Sequence, residues 1–329
     1  MATAEEIKAP AVTLEDIRRA AERIRVLAHR TPVFESRWFN AATRVQTFFK
    51  CENLQRGGAF KIRGASNFLL SLTDEERKRG VVTFSSGNHA QAVAIAAAHL
   101  NVAATIVMPT DAPKSKVEST QAYAPKIVFF DRIRERREEI AQRIADETGA
   151  VVVPSYDHPA IIAGQGTAAL ELLQDGPDLD AIVVPLGGGG LLSGTLTVAK
   201  ALRPEIRVFG VEPELANDWY LSLERGEPVE IGPPPTIADG LRTSVPGKIT
   251  FPIVRSLVDS VLLVSEAEIR SAIRFLLSRL KIVTEPSGAV AAAALLSEKL
   301  PSGIRSAGVI LSGGNVDFSV LAEICGEAA

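Results

Sequence analysis

The sequence is poor in the residues that define several specialised folds. It has two cysteines, Cys51 and Cys325, far apart in the chain, so neither a disulfide framework nor a zinc-ligand spacing is available. Such sparing use suits a reducing interior. Aromatic residues make up only 5%, so the core has to rest mainly on Ala, Val, Ile and Leu. Neither sign of charge dominates. Lys and Arg number 36 against 39 Asp and Glu, a formal net charge of −3, which gives no global reason to expect nucleic acid as a partner. Long apolar runs are also missing: the stretch 92–108 is broken by His99 and Asn101 and reads as helix then strand, not as a membrane span. Glu5, Glu6 and Lys8 stand where a secretory signal would need an apolar run, so a soluble, cytoplasmic setting is expected. The basic run 132–137 contains Glu135 and is flanked by Asp131, Glu138 and Glu139. It reads as a solvated helix face rather than an anion site.

What is present is a long chain of alternating patterns. At roughly 150 residues per domain, 329 residues suggest about two domains. Thr13 and Asp16 look like the two ends of a capping box at a helix start. Residues 45–50, 81–85, 102–108, 126–130, 181–185, 208–211 and 308–311 read as short strands. The Ala-rich 88–100 and the charged 133–148 read as helices. Strand runs without polar alternation suit parallel strands buried on both faces, and strands spaced by helices argue for α/β architecture. The pattern is best divided into a smaller lobe, 82–157, inserted into a larger one, 1–81 and 158–329. The small apolar segment 289–296 is expected inside the monomer.

Ligands of open parallel sheets sit where strand ends meet helix starts. Three segments have that strand-to-loop form. Ser85-Ser86-Gly87-Asn88-His89 precedes the Ala-rich helix, and its backbone N–H groups would suit a carboxylate or phosphate, unless it is only an N-cap cluster. Gly187-Gly188-Gly189-Gly190 follows an apolar strand and could wrap an anion. It lacks the Gly-Lys-Ser/Thr of a P-loop, and its spacing fits a dinucleotide site poorly. Leu311-Ser312-Gly313-Gly314-Asn315 is a third such loop, where Ser312 could face a ring nitrogen or simply cap a turn. A fourth segment, Gly57-Gly58-Ala59-Phe60-Lys61-Ile62-Arg63-Gly64, offers a lysine among glycines and apolar groups. Desolvation would lower its pKa and make its amine nucleophilic, although a surface lysine is the commoner case. A lysine nucleophile, a phosphate cup, a carboxylate-binding helix start and a weak hydrogen-bonder are together the parts that hold pyridoxal phosphate beside an amino acid.

These segments, with Thr236-Ile237-Ala238-Asp239-Gly240, resemble in order the fold-type II pyridoxal-phosphate enzymes, nearest to the serine racemase and threonine/serine dehydratase family. The resemblance covers nearly the whole chain. It implies two open, twisted, mostly parallel sheets flanked by helices, as in the tryptophan synthase β fold, with the cofactor in the cleft between them. Lys61 would carry the cofactor and act as the base at Cα. Phe60 would pack on its ring, and Gly240 would lie beside it. Asn88 would bond the 3′-hydroxyl. Gly187, Gly188, Gly189, Gly190 and Leu191 would cup the phosphate, and Ser312 would face the pyridine nitrogen. Ser86 would lie opposite Lys61, within a loop of Ser85, Ser86, Gly87, Asn88 and His89 that grips the substrate carboxylate. Glu212, the Ala216 carbonyl and Asp218 resemble the family's Mg2+ or Ca2+ site, although two acids six residues apart also suit an ordinary turn.

The implied activity is dehydration and deamination of L-threonine or L-serine to a 2-oxo acid and ammonia. Serine racemase is the alternative, since both reactions begin by removing the Cα proton. A 3-hydroxyaspartate dehydratase is a third reading, in which Arg63 or Arg242 would accept the extra carboxylate. A nucleotide-dependent oxidoreductase would leave Lys61 and the serine loop unexplained. A non-catalytic cofactor carrier would have no use for Ser86. The resemblance also implies a homodimer or homotetramer. With the chain ending soon after Ser312, no C-terminal regulatory domain is expected.

Overall fold

The computed structural model describes residues 10–112 and 114–326. Among them ten strands form two sheets. In chain order these are β1 (Val33–Glu35), β2 (Gln46–Cys51), β3 (Val81–Phe84), β4 (Ala104–Pro109), β5 (Lys126–Phe130), β6 (Val151–Val152), β7 (Ala181–Pro185), β8 (Arg207–Pro213), β9 (Ser260–Val264) and β10 (Ser306–Leu311). The larger sheet runs β1-β2-β10-β7-β8-β9, parallel except where β1 pairs antiparallel with β2. The smaller runs β5-β4-β3-β6 and is parallel throughout.

The central strands are apolar on both faces because helices cover both. Ala181, Ile182, Val183 and Val184 of β7 are all fully buried. Ile182 and Val184 pack toward the helices Pro159–Asp175 and Gly190–Leu202. Ala181 and Val183 pack toward the helix Pro286–Leu296. That helix is buried from Pro286 to Leu295, as its uniformly small and apolar sequence requires. Its alanines compensate for the scarcity of aromatics by letting the helix lie close against the sheet.

The capping box of Thr13 and Asp16 forms as expected. One expected helix is shorter than its pattern. It begins at Arg137, not at residue 133. Ahead of it, the Glu135 carboxylate accepts from the Asp131 N–H and the Asp131 carboxylate accepts from the Ile133 N–H. These local bonds hold a turn that competes with helix. The basic run is therefore a turn leading into a helix, not one solvated helix face.

Glycines set the close approach of three helices. A Cβ on Gly164 would stand 2.6 Å from the Arg63 carbonyl and from Gly64 Cα, and one on Gly194 would stand 2.5 Å from Gly166 N. The helix Lys61–Ser71 and the helix Gly190–Leu202 are thus both pressed against Pro159–Asp175. The Gly164→Ala substitution is expected to lower stability by roughly 1–3 kcal/mol through overpacking. Gly232→Ala, where a Cβ meets nothing within 4 Å, is expected to change it by less than about 0.5 kcal/mol. Urea denaturation of the two variants checks the contrast.

Candidate active site

A cavity of about 400 Å3 is lined by loops from both sheets. Its floor is set by Lys61, the first residue of the helix Lys61–Ser71. The Phe60 N–H donates to the Ser312 carbonyl at 3.0 Å, and Ala59 bridges to Gly313, so the loop before Lys61 is tied to the loop after β10. Gln165 Oε1 accepts from the Gly64 N–H at 3.2 Å and caps one of the helix's first donors. Lys61 Nζ donates to the Ser155 carbonyl at 3.0 Å and lies 5.1 Å from the centre of the Phe60 ring. Burial pulls the amine down to about 8, partly opposed by the Glu285 carboxyl.

The loop after β3 supplies one wall. No side chain caps the helix Asn88–Leu100, although Ser85 Oγ accepts from the Gly87 N–H at 3.2 Å. A helix start left open in this way suits a carboxylate. His89 is buried with a ring nitrogen 3.3 Å from the Val153 carbonyl. Burial and the nearby Lys61 hold it down to about 3, so it stays neutral.

The glycine loop supplies another wall. The Gly187 carbonyl accepts from Trp219 Nε1, and the Gly188 carbonyl accepts from Thr250 Oγ1 at 3.0 Å. With its carbonyls engaged there, the loop keeps its N–H groups as donors for an anion at the start of the helix Gly190–Leu202. Gly189 has φ +87°, and a Cβ on Gly188 would meet the Tyr156 ring at 2.2 Å. Side chains at these two positions would close the cup.

The structure gathers Phe60, Lys61, Ser85, Ser86, Gly87, Asn88 and His89 around the cavity with Gly187, Gly188, Gly189, Gly190, Leu191, Gly240 and Ser312. Ser312 Oγ lies 3.4 Å from the Ser287 carbonyl, and the Gly240 N–H donates to Ser287 Oγ at 2.8 Å. Glu212, Ala216 and Asp218 do not line the cavity. They sit behind the glycine loop, joined to it through Trp219, whose backbone N–H donates to Glu212 Oε1 at 3.2 Å. Both acids are fully buried, and both Asp218 oxygens lack a hydrogen-bond partner. Burial drives Asp218 up to about 7. Burial and the neighbouring Asp218 push Glu212 well above the usual carboxylate range.

Arg63 does not serve the expected role. Its guanidinium is buried and bonded to Glu52, Glu171 and Thr167, so it cannot receive a substrate carboxylate. Arg242 lines the cavity, with Nε and Nη2 donating to the Thr236 carbonyl. Arg137, read from the sequence as part of a solvated face and not an anion site, lines it too, as does Asp239 of the 236–240 segment. Sequence reasoning missed Tyr156, Lys116 and Glu285, which also line it. Tyr156 could have been found, because 153–158 is another loop between a strand and a helix. Lys116 and Asp239 form an ion pair over the cavity, and nothing local in the sequence links them. Glu285 stands at the N-cap of Pro286–Leu296, and its partner Asn88 is 197 residues away.

The buried amine, the open helix starts and the glycine cup fit an aldehyde-bearing phosphate cofactor. Comparison with known proteins gives the same picture. A family model described as pyridoxal-phosphate dependent enzyme matches residues 24–313. An L-threo-3-hydroxyaspartate ammonia-lyase of Pseudomonas sp is 50% identical over 94% of this chain and 97% of its own. A serine racemase of Schizosaccharomyces pombe is 47% identical over 93% and 95%. The solved structure of maize serine racemase superposes with a TM-score of 0.92 at 44% identity, covering 95% of this chain and 96% of the other.

The depressed Lys61 pKa gives a pH prediction. The amine is protonated and unreactive below its folded value of about 8 and becomes nucleophilic as pH rises through it. Reductive methylation of the cofactor-free protein with formaldehyde and borohydride, read by peptide mass spectrometry, is expected to modify Lys61 half-maximally near that pH. Exposed lysines should follow their ordinary value of about 10.4. A Lys61 profile that tracks the exposed lysines contradicts the buried, depressed amine.

Proposed function

The chain belongs to the pyridoxal-phosphate-dependent enzymes, in their branch of amino-acid ammonia-lyases and racemases, and from that premise we propose that it is an ammonia-lyase acting on L-threo-3-hydroxyaspartate. Lys61 anchors the cofactor. The N–H groups of Gly187, Gly188, Gly189, Gly190 and Leu191 hold its phosphate. Phe60 and Gly240 flank the ring, Asn88 bonds the 3′-oxygen, and Ser312 faces the ring nitrogen. In this reading residues 82–157 form a small lobe that carries the substrate loop, and 1–81 with 158–329 form the cofactor lobe.

When bound, pyridoxal phosphate supplies an electron sink for the pair left at Cα. The loop of Ser85, Ser86, Gly87, Asn88 and His89 holds the α-carboxylate at its open helix start. The Lys61 amine takes the Cα proton. Ser312 is neutral and does not enforce protonation of the ring nitrogen as a carboxylate would, which favours prompt loss of the β-hydroxyl. That hydroxyl takes a proton and leaves as water. The released enamine hydrolyses to a 2-oxo acid and ammonia, so the water lost is regained. Ser86, on the face opposite Lys61, can return a proton there and give the enantiomer. This supports serine racemisation as the second reading.

The substrate choice rests on one observation: Arg137 lines the cavity. Its guanidinium stacks 5.4 Å from the centre of the Phe84 ring, and its Nε donates to Glu138 Oε1 at 2.8 Å. In this reading Nη1 and Nη2, the donors left over from the Glu138 pair, hold a second carboxylate in a bidentate pair. L-Serine and L-threonine have nothing to offer it. The 50%-identical relative named for 3-hydroxyaspartate supports the same choice.

A hard cation beside the glycine loop is part of this proposal. A cation between the two buried acids would let both ionise and would give the unpartnered Asp218 oxygens a ligand to hold, and the Ala216 carbonyl with water would complete an oxygen shell suited to Mg2+ or Ca2+. Among the described residues no group of three or more metal-binding side chains meets, so such an ion would depend on backbone and water for the rest of its shell.

Two experiments follow. The holoenzyme, given L-threo-3-hydroxyaspartate, L-serine and L-threonine in parallel, is expected to release 2-oxo acid fastest from the first. Arg137→Gln should lower kcat/KM for it by about 10- to 100-fold and change L-serine turnover much less. Faster turnover of L-serine or L-threonine by the wild type would falsify the substrate choice. Treatment with a chelator is expected to lower the thermal midpoint, with recovery on adding Mg2+ or Ca2+, and Asp218→Asn should abolish the response. No change in the wild type removes the cation from this proposal.

A further inference from the structure

The amide of Asn88 is held by a chain of polar contacts whose sense is set by a backbone atom. The Gly57 carbonyl can only accept. Asn315 Nδ2 lies 2.7 Å from it, so Asn315 must present its amide nitrogen on that side. The same Nδ2 lies 2.9 Å from Asn88 Oδ1 and 3.2 Å from Gln91 Oε1. Asn88 therefore turns its oxygen toward Asn315 and its nitrogen toward Glu285, whose Oε1 accepts at 2.7 Å. An amide nitrogen carries two hydrogens, and Glu285 takes one. The second belongs to a side chain that lines the cavity.

Glu285 is suited to hold this end. It is buried, with the Asn315 backbone N–H also donating to its carboxyl, and with Lys61, Lys116 and Asp239 as the charged groups around it. Burial and Asp239 push its carboxyl up to about 8. A neutral acid at neutral pH still accepts from Asn88, and a carboxamide would mimic it closely. Space reinforces the arrangement. A Cβ on Gly58 would meet Asn315 Oδ1 at 2.2 Å, and one on Gly313 would meet Glu285 Oε1 at 2.4 Å. The glycines at both places leave room for the two side chains that grip Asn88.

We propose that Asn315 and Glu285 are positioning residues which fix the Asn88 amide so that its second N–H is donated to the 3′-oxygen of the cofactor. This rests on the reading of Asn88 as the 3′-oxygen partner. The Gly57 carbonyl, at the start of the Lys61 loop, thereby sets the polarity of a donor on the opposite wall. With either partner removed the amide turns freely, and its oxygen spends part of the time toward the cofactor, where it repels an anionic 3′-oxygen.

The test is the absorption spectrum of the cofactor-loaded protein across pH, without substrate, for Asn88→Ala, Asn315→Leu, Glu285→Leu and Glu285→Gln. Asn88→Ala should shift the balance between the long- and short-wavelength cofactor bands by about ten-fold. Asn315→Leu and Glu285→Leu should shift it in the same direction, and Glu285→Gln should leave it near the wild type. The thermal midpoint of each cofactor-free variant is measured beside the spectra, and Asn315→Ala with Glu285→Ala replaces any leucine variant that does not fold. A shift in Asn88→Ala alone overturns the positioning role while leaving the role of Asn88 standing. A Glu285→Gln spectrum that moves as far as Glu285→Leu overturns it in favour of a role for the carboxylate charge. An unchanged Asn88→Ala spectrum overturns the 3′-oxygen reading and this inference together.

Discussion

A buried arginine two residues beyond the reactive lysine governs the rest of the site. Arg63 is fully buried at the first turn of the helix Lys61–Ser71, forked between Glu52 and Glu171, with Thr167 taking a further donor. Lys50, also fully buried, shares Glu171. Removing one partner from such a network costs about 3–5 kcal/mol, because it strands a charge in low dielectric. Replacing the whole network with apolar groups of the same shape need not cost stability. Its physical value is therefore one of placement. It allows a single rotational setting for the helix start, and that setting points Lys61 into the cavity. The glycine contacts of Gly64 with the helix Pro159–Asp175 remove the remaining freedom in depth.

The cavity is built from one motif used repeatedly. Strand ends deliver loops, and the loops deliver helix starts whose N–H groups are not consumed by side-chain caps. Two such starts, at Asn88 and Gly190, line the same cavity as one buried lysine and leave donors there that suit anions. Burial then tunes the titrating groups. It lowers Lys61 toward neutrality, keeps His89 uncharged and raises Glu285. Charged side chains that remain accessible, Arg137 and the Lys116–Asp239 pair, stand farther out. That separation lets an inner chemistry common to the family coexist with an outer rim that can differ between substrates.

Much of this was legible in the chain. The strands 126–130 and 181–185 and the helix 88–100 follow their patterns to the residue, because each is an unbroken apolar or alanine-rich run bounded by polar or breaking residues. Three of the loops at the cavity could be singled out because glycine, serine and asparagine cluster where a buried strand ends, and a fourth by its lysine among glycines and apolar groups. The turn at 131–135 departs from its charge pattern because side-chain bonds to the backbone outcompeted a helix with no apolar face to bury. Arg63 looked like a candidate substrate ligand because nothing in its own segment announces Glu52 and Glu171 as partners. Glu285 went unnoticed for the converse reason, since it does not stand in a distinctive local sequence, and Arg137 was set aside with its charged run because nothing local places it beside Phe84 at the cavity.

The sequence by itself determined the alternation of strands and helices, the loops that face a ligand and the residue types able to hold one. These are local properties, set by periodicity, by glycine's freedom and by the scarcity of alternatives for a lysine among apolar groups. The tertiary structure alone decided which charges are spent inside the fold and which remain at the cavity. Arg63 and Arg137 are chemically the same side chain. One is enclosed by two carboxylates from distant segments, and the other stacks on Phe84 and lines the cavity. Burial and long-range pairing separate them, and both are sums over residues that the local sequence does not bring together.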